Sequence, residues 1–569
     1  MAIWSLVNKG GNFIELGERF SIPPILARII RNRGVVGEEA MQKYLYGTCD
    51  DLYFPESMKN MTQAAALMKQ YIEQGKKIRI IGDYDVDGIC STYVLMKGLS
   101  ALGADVDYAI PHRILDGYGI NEHLIEAAHE AGREVIITCD NGIAAVSQID
   151  YAKSLGMSVI VTDHHEVPYE EREDGIHYIL PEADAVVDPK QPGEKYPNTG
   201  ICGCVVAYKL MQVLCPEKEG LLKELLEIAA IATIGDVMDL LDENRIIVKE
   251  GLKRLEHTNN IGLKALLSVN GLWGKRLSAY HIGFVIGPCL NATGRLDVAD
   301  TALELLLCQD ERRAALMAGQ LKNLNDSRKS MTEQNVSIAI EQLGEQVEDK
   351  VLVVYLPECH ESLAGIIAGR IKEKYYRPTF VITKAEQGLK GSGRSIPGYH
   401  MHKALTQVAE LLDKFGGHAM AAGLSLPEEN LDKLRMALNQ NCDMTEDQMQ
   451  KKITIDYPLP FGECSIDFVK KLEILEPFGN GNVKPVFAQS KLKVLSEKIM
   501  GKNHNAGKYL MQNQQGERYE VLYFGDLDAF RTCYSANDLI KIAFYPSINE
   551  YMGRETVQFI MQEYDACEV

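Results

Sequence analysis

Between Lys76 and His165 the chain repeats one pattern: a short apolar run, a polar turn, then a helical stretch. Lys77-Ile-Arg-Ile-Ile-Gly82 leads into Asp83-Tyr84-Asp85-Val86-Asp87-Gly88 and an apolar helix from Gly88. Asp105 to Ile110 precedes a helix over Asn121 to Ala131. Glu134-Val-Ile-Ile-Thr-Cys139 runs into Asp140-Asn141-Gly142 and a helix beginning near Ile143, and Met157-Ser-Val-Ile-Val-Thr162 ends on Asp163-His164-His165. Strands alternating with helices of this length specify a parallel, doubly wound α/β sheet. Such sheets bind ligands just past the carboxyl ends of their strands. Carboxylates and imidazoles therefore gather where a ligand belongs. Helices from Gly203 to about Arg254 break at Gly235-Asp236 and add Ile234-Gly-Asp-Val-Met-Asp239 to the same chemistry.

Several carboxylates within a few ångströms of one another repel and are costly to desolvate unless cations neutralise them. Oxygen ligands with one or two imidazoles suit Mn²⁺ or Mg²⁺ better than a thiolate-preferring metal. Bridging carboxylates can hold two such ions, which together activate water and clamp a phosphoryl group. The Asp-x-Asp-x-Asp-Gly run also resembles the start of an EF-hand loop. That loop needs a bidentate Glu where this chain has Val94, inside an apolar helix.

Other classes fall away on composition. The thirteen cysteines contain no Cys-x-x-Cys pair, which excludes a zinc finger or disulfide framework and fits reduced thiols in a cytoplasm. No apolar run approaches a membrane span, and the first residues lack the basic start and apolar core of a signal peptide. The net charge of -19 argues against general affinity for nucleic acid, though not against a local groove.

The remaining chain divides by texture. Residues 1–60 read as short helices without a legible role, 61–255 as the α/β unit, and 256–348 as a helical region whose last part, Asp310 to Glu345, is a long connector. Strand-helix alternation resumes over 349–430 as a second, smaller α/β unit. Over 450–569 five short strands (Lys452 to Tyr457, Val486 to Val494, Tyr519 to Tyr523, Leu539 to Tyr545, Val557 to Gln562) suggest a small barrel. Residues 361 to 420 carry nine Lys or Arg against five Asp or Glu, so this window is basic inside an acidic chain. Gly391-Ser-Gly-Arg-Ser and Gly416-Gly-His-Ala let backbone approach a phosphate, and the second is expected to open a helix whose amides favour an anion. Arg394 supplies a guanidinium fork.

Asp163-His164-His165 together with Asp83-Tyr-Asp-Val-Asp-Gly88 resembles the DHH phosphoesterase superfamily, and within it the bacterial single-strand-specific exonucleases. Supporting stretches are Ile110-Pro-His-Arg-Ile-Leu-Asp-Gly-Tyr-Gly119, Gly287-Pro-Cys-Leu-Asn-Ala-Thr-Gly-Arg295, Leu363-Ala-Gly-Ile-Ile-Ala-Gly-Arg370 and Glu476-Pro-Phe-Gly-Asn-Gly-Asn482. The resemblance implies a DHH domain, a DHH-associated domain joined to it by a long helix, and an OB-like barrel. It implies two Mn²⁺ or Mg²⁺ ions, with Asp85, Asp87, Asp140, His164 and Asp236 as ligands and Asp140 and Asp236 as bridges. Asp83 matches an acidic position beside them, and His165 looks like the residue that contacts the scissile phosphate. Other branches carry a His where this chain has Ile81. Arg113, Arg295, Ser392 and Arg394 match positions that receive the strand end, with Gly416, Gly417 and His418 nearby. Cys289 stands where Arg is usual, and Cys359-His360 where an aromatic is usual.

The activity implied is 5′-to-3′ hydrolysis of single-stranded DNA, processive and releasing mononucleotides, in DNA repair and recombination. A short-oligonucleotide or cyclic-dinucleotide phosphodiesterase is the enzymatic alternative, and a catalytically silent single-strand-binding replication accessory protein the other. A single-strand-binding protein or helicase is a candidate partner of an expected monomer with no membrane association. The barrel is expected to add affinity and processivity rather than chemistry, with Tyr523, Phe524 and Tyr545 as candidate stacking residues.

Overall fold

The protein is described from a computed structural model, covering residues 2–112, 119–296, 300–345, 347–385, 387–501 and 506–567, and the side chains of all of these except 293–296. The first sheet has five parallel strands in the order Asp105–Ala109, Lys77–Ile81, Val135–Cys139, Ser158–Thr162, Ala185–Val187. Chain order reverses beside Lys77–Ile81, which opens the crevice of a doubly wound sheet there. Val135–Cys139 is buried on both faces, which is why it reads as an uninterrupted apolar run. One face packs on the helices Val86–Ala101, Gly203–Leu214 and Glu219–Gly235, the other on Glu122–Glu130 and Val146–Ser154. The fifth strand was not expected. It has only three residues and follows an exposed hairpin, Tyr169–Arg172 with Gly175–Tyr178.

The connector is one helix, Glu311–Leu343, of 33 residues and so about 50 Å long. Asp310 caps it by accepting from the Arg313 amide, and Gly344 ends it at φ 73°. Its first turns (Ala314, Ala318, Leu321) belong to the core of the first lobe and Ala339 to that of the second. The second sheet runs Lys414–Gly417, Ala421–Leu426, Leu389–Arg394, Thr379–Lys384, Leu352–Tyr355, and only the last pair is parallel.

Gly416-Gly417-His418 opens no helix. Gly416 pairs with Gly423, the His418 amide donates to Ala421 O at 2.8 Å, and Gly417 turns the hairpin at φ 135°, where a Cβ would lie 2.4 Å from Ala421 O. The glycines serve the turn between two strands, and a helix cannot start inside a paired ladder.

The barrel consists of Phe487–Met500, Ala506–Gln512, Arg518–Tyr523, Arg554–Ala566 and Ile540–Tyr551, closed because the first pairs with both the second and the last. Two expectations change. Ala506–Gln512 is a barrel strand that begins Ala-Gly-Lys and carries no β-branched residue, so propensity hid it. Lys452–Ile455 lies outside the barrel ladder and pairs in parallel with Ile3–Leu6 at the other end of the chain. The helices Phe13–Phe20, Pro24–Asn32 and Glu38–Tyr46 bury their apolar faces in the barrel's own core, and Arg33 grips Asp456 bidentately at 2.6 and 2.7 Å. Residues 3–46 are thus an extension of the C-terminal unit, whereas Leu52, Tyr53 and Met58 pack on the first lobe. No helix among the described residues is long and apolar enough to cross a membrane.

Candidate metal centre

Three of the acidic segments sit where first-sheet strands end. Asp85 caps the helix Val86–Ala101, its Oδ1 accepting from the amides of Asp87 (2.9 Å) and Gly88 (3.1 Å). Gly88 is required, because a Cβ there would lie 2.4 Å from Asp83 O. Asp83 is buried, and its Oδ1 accepts from the Gly119 amide at 3.4 Å while Oδ2 has no hydrogen-bond partner. Asp87, in the first helical turn, is held by the amides of Gly203 (2.7 Å) and Cys204 (2.8 Å) at the start of the helix Gly203–Leu214. Helix N-termini attract carboxylates, so a second helix fixes this side chain without using all its lone pairs. Asp140 ends the central strand at φ 61°, packed so tightly on Gly203 that a Cβ there would lie 2.8 Å from its own.

Around His164 these groups converge. Its Nε2 lies 3.0 Å from an Asp140 oxygen, 3.6 Å from Asp87 and 3.7 Å from Asp236. Both His164 nitrogens and Asp236 Oδ2 are buried without a hydrogen bond. Burial and mutual repulsion push Asp83 and Asp236 up to about 8 and raise Asp85 and Asp140 too, while burial lowers His164. The centre is short of positive charge, and orphaned buried polar groups are costly. A hard divalent cation supplies what is missing, so the donor set fits Mn²⁺ or Mg²⁺. Two separate triads, Asp87–His164–Asp236 and Asp83–Asp85–Asp140, each bring three ligand atoms within 4.8 Å of one another.

The surroundings of two buried carboxylates, Asp163 and Asp188, were not legible in the sequence. Asp163 does not point at the ligand cluster: its Oδ1 meets His165 Nδ1 at 2.7 Å and accepts from the His164 amide at 2.7 Å, and its Oδ2 accepts from the Ile143 amide at 2.9 Å. Burial alone would raise its pKa, but the His165 ring and the amide more than offset that and hold it low. In return, and against the burial that would lower it, His165 is pushed up to about 9 by Asp163. The His165 side chain is 44% exposed, so an imidazolium reaches solvent beside the metal ligands. Asp188 follows the unexpected fifth strand. It is fully buried, its Oδ1 accepts from the Lys190 amide at 2.7 Å, and burial followed by the charge of Asp163 pushes it up to about 7. Strand-end acidity was the signal that could have found it, had that strand been read.

A cavity of about 380 Å³ joins the lobes. Tyr84, between two proposed ligands, lines it from one side, and Glu361, Lys390, Ser392 and Arg394 from the other. Gly365 makes room: a Cβ there would lie 2.7 Å from Arg394 Nη2 and 2.9 Å from Ser392 Oγ. Arg394 donates to Ser392 Oγ (3.2 Å) and Gly393 O (2.8 Å). Gly416, Gly417 and His418 lie exposed on the hairpin and do not line this cavity. Arg113 and the Arg295 side chain lie outside the described residues. Cys289 is fully buried and accepts from Asn325 Nδ2 at 3.5 Å, a packing position. Of the candidate stacking aromatics, Tyr545 is 8% exposed and covered by Lys484, and Tyr523 packs edge-on against Phe530 and Tyr564. Phe524, 61% exposed, is the one with an open face.

Comparison with known proteins places these parts in one lineage. Family models match residues 77–233 (DHH family, N-terminal domain), 348–443 (DHHA1 domain) and 455–563 (RecJ OB domain). The single-stranded-DNA-specific exonuclease RecJ of Bacillus subtilis is 35% identical, over 96% of this chain and 69% of its own. That of Salmonella typhimurium is 32% identical, over 95% of this chain and 96% of its own. The crystal structure of Thermus thermophilus RecJ in complex with Mn²⁺ superposes with a TM-score of 0.82 at 28% identity, covering all of this chain and 80% of that one.

Proposed function

Since the chain belongs to the RecJ family of single-stranded-DNA-specific exonucleases, we propose that it cleaves single strands from the 5′ end at the centre built around His164. It is a metal-dependent phosphodiester hydrolase that uses Mn²⁺ or Mg²⁺. The observation that carries the site assignment is the convergence of Asp87, Asp140 and Asp236 on one imidazole nitrogen. Two bound ions would supply an activated water and offset charge on the attacking and leaving oxygens. Asp85, Asp87, Asp140, His164 and Asp236 would hold them, with Asp83 completing the second triad.

The protein's own groups do the rest. The Gly203 and Cys204 amides fix the Asp87 carboxylate in its rotamer. Asp163 keeps His165 protonated and turned, so that the ring offers an N–H to a non-bridging oxygen of the scissile phosphate. Arg394 and Ser392 meet the terminal 5′-phosphate across the cavity from Tyr84, and that span sets which bond reaches the ions. Every proposed ligand comes from one chain, so a monomer suffices.

Digestion of 5′- and 3′-labelled single strands with Mn²⁺, Mg²⁺ or EDTA tests this. The 5′ label should leave first, as a mononucleotide, with no cleavage in EDTA. Prior loss of the 3′ label would overturn the direction. Arg394→Ala should narrow the preference for 5′-phosphorylated over 5′-hydroxyl strands by roughly 10–150-fold, the equivalent of about 1.5–3 kcal/mol for a charged hydrogen bond. An unchanged ratio means the end is read elsewhere.

A further inference from the structure

Asp236 differs from the other carboxylate ligands because no strand or helix start supplies it. It follows the last turn of the helix Glu219–Gly235, and the next residue, Val237, has φ 59°. A β-branched residue in the left-handed region is strained and persists only where neighbours over-determine it. Here the neighbour lies 243 residues further along the chain. Asn480 Nδ2 donates to Val237 O at 3.0 Å and to Asp239 Oδ1 at 2.7 Å, and Asn480 O accepts from the Leu240 amide at 2.8 Å. The two loops touch without room for side chains: a Cβ on Gly479 would lie 2.6 Å from Leu240 Cδ1, and one on Gly481 would lie 2.9 Å from Asp239 Cγ.

The segment that carries Asn480 is itself braced. Asn482 Nδ2 donates to Leu475 O and Pro477 O, both at 2.8 Å, and its Oδ1 accepts from Tyr44 Oη at 2.8 Å. Buried Arg245 donates to Ile474 O (2.8 Å) and Leu475 O (3.0 Å). Residues 474–482 thus form a rigid strut running from the barrel side to the loop after a metal ligand. We propose that Asn480 is a positioning residue for Asp236, so that the C-terminal part of the chain completes the metal centre. This rests on the reading of Asp236 as a ligand. It also revises the expectation that the barrel adds only affinity and processivity, because a chain ended near residue 450 lacks the clip.

The test is Mn²⁺ binding by calorimetry on the full chain, alongside cleavage. Groups bonded directly to metal ligands typically matter by 10–100-fold in affinity, and Asn480 acts one step further out, through Val237 O and Asp239. Asn480→Ala should weaken Mn²⁺ binding about tenfold. Cleavage should recover at saturating Mn²⁺, and KM for DNA should stay within about twofold, because the strand contacts lie apart from the clip. Asp239→Asn keeps an acceptor for Asn480 and should bind Mn²⁺ like the unaltered chain. Gly481→Ala, which presses on Asp239, should repeat the Asn480→Ala effect if the latter fails to fold. Unchanged Mn²⁺ affinity in Asn480→Ala or Gly481→Ala overturns the proposal, as does lost cleavage that Mn²⁺ does not restore. Asp236→Asn separates the premise: if it too leaves Mn²⁺ binding unchanged, the ligand assignment has failed, and if it alone abolishes binding, only the positioning role has.

Discussion

Asp140→Asn should slow single-strand cleavage by at least about a thousandfold, some 4 kcal/mol of barrier, without unfolding the protein. Asn tolerates the left-handed backbone that Asp140 adopts at φ 61° and keeps the contact with Gly203. The change removes one of several carboxylates that burial and mutual repulsion hold in an unfavourable state. The melting temperature of the metal-free variant should therefore equal or exceed that of the unaltered chain, while the increment gained on adding Mn²⁺ shrinks. Calorimetry, circular dichroism and single-turnover cleavage decide it. Retained cleavage in a folded Asp140→Asn protein would remove Asp140 from the centre.

The second large effect belongs to the imidazolium. His165→Ala should lower the cleavage rate about 10²–10³-fold, the range for losing one hydrogen-bond donor to the charge that develops in the transition state, with DNA affinity little changed. Asp163→Asn should do part of the same by letting the His165 pKa fall from about 9, so its defect should be larger at pH 8 than at pH 6. The same residues give metal-free stability a sign. The folded pKa of His165 is raised above its ordinary 6.5, so its contribution is full below about 6.5 and lost as pH rises through about 9. Asp83 and Asp236, pushed up to about 8, are protonated near pH 6 when folded but ionised when unfolded, so they too cost stability as pH climbs. Melting of the metal-free protein from pH 6 to 9 should therefore fall, with the Mn²⁺ increment greatest at the upper end. A flat melting profile would contradict the crowding on which the metal reading depends.

What could be read in advance was local. An apolar run followed within a residue or two by Asp is one continuous signal, and it led to Asp83, Asp140 and the Asp163-His164-His165 turn. Asp163 was visible as a letter but not as a role, because only geometry shows its carboxylate turned toward His165. Asp188 stayed hidden behind a three-residue strand too short to show a period. Gly416-Gly417 reads equally as a helix start or a hairpin because glycine marks both turns and anion sites, and the deciding fact is pairing with Ala421–Leu426. Asn480 and the pairing of Ile3–Leu6 with Lys452–Ile455 belong to contacts hundreds of residues apart, which no local pattern announces.

That last pairing has a consequence for how the protein is made. Arg33 and its partner Asp456 are 423 residues apart, so at ordinary synthesis rates about 20–85 s pass between them on the ribosome. For that interval the helices around Leu26, Ile30 and Leu45 exist without the barrel strands that cover them. The central parallel sheet, whose strands all lie between Lys77 and Val187, can assemble meanwhile. The helices over Phe13–Tyr46 must instead be kept from collapsing wrongly until the barrel strand Arg554–Ala566 has emerged. The helices made early therefore wait on strands made late, and the two parts acquire their shared core together once the barrel closes.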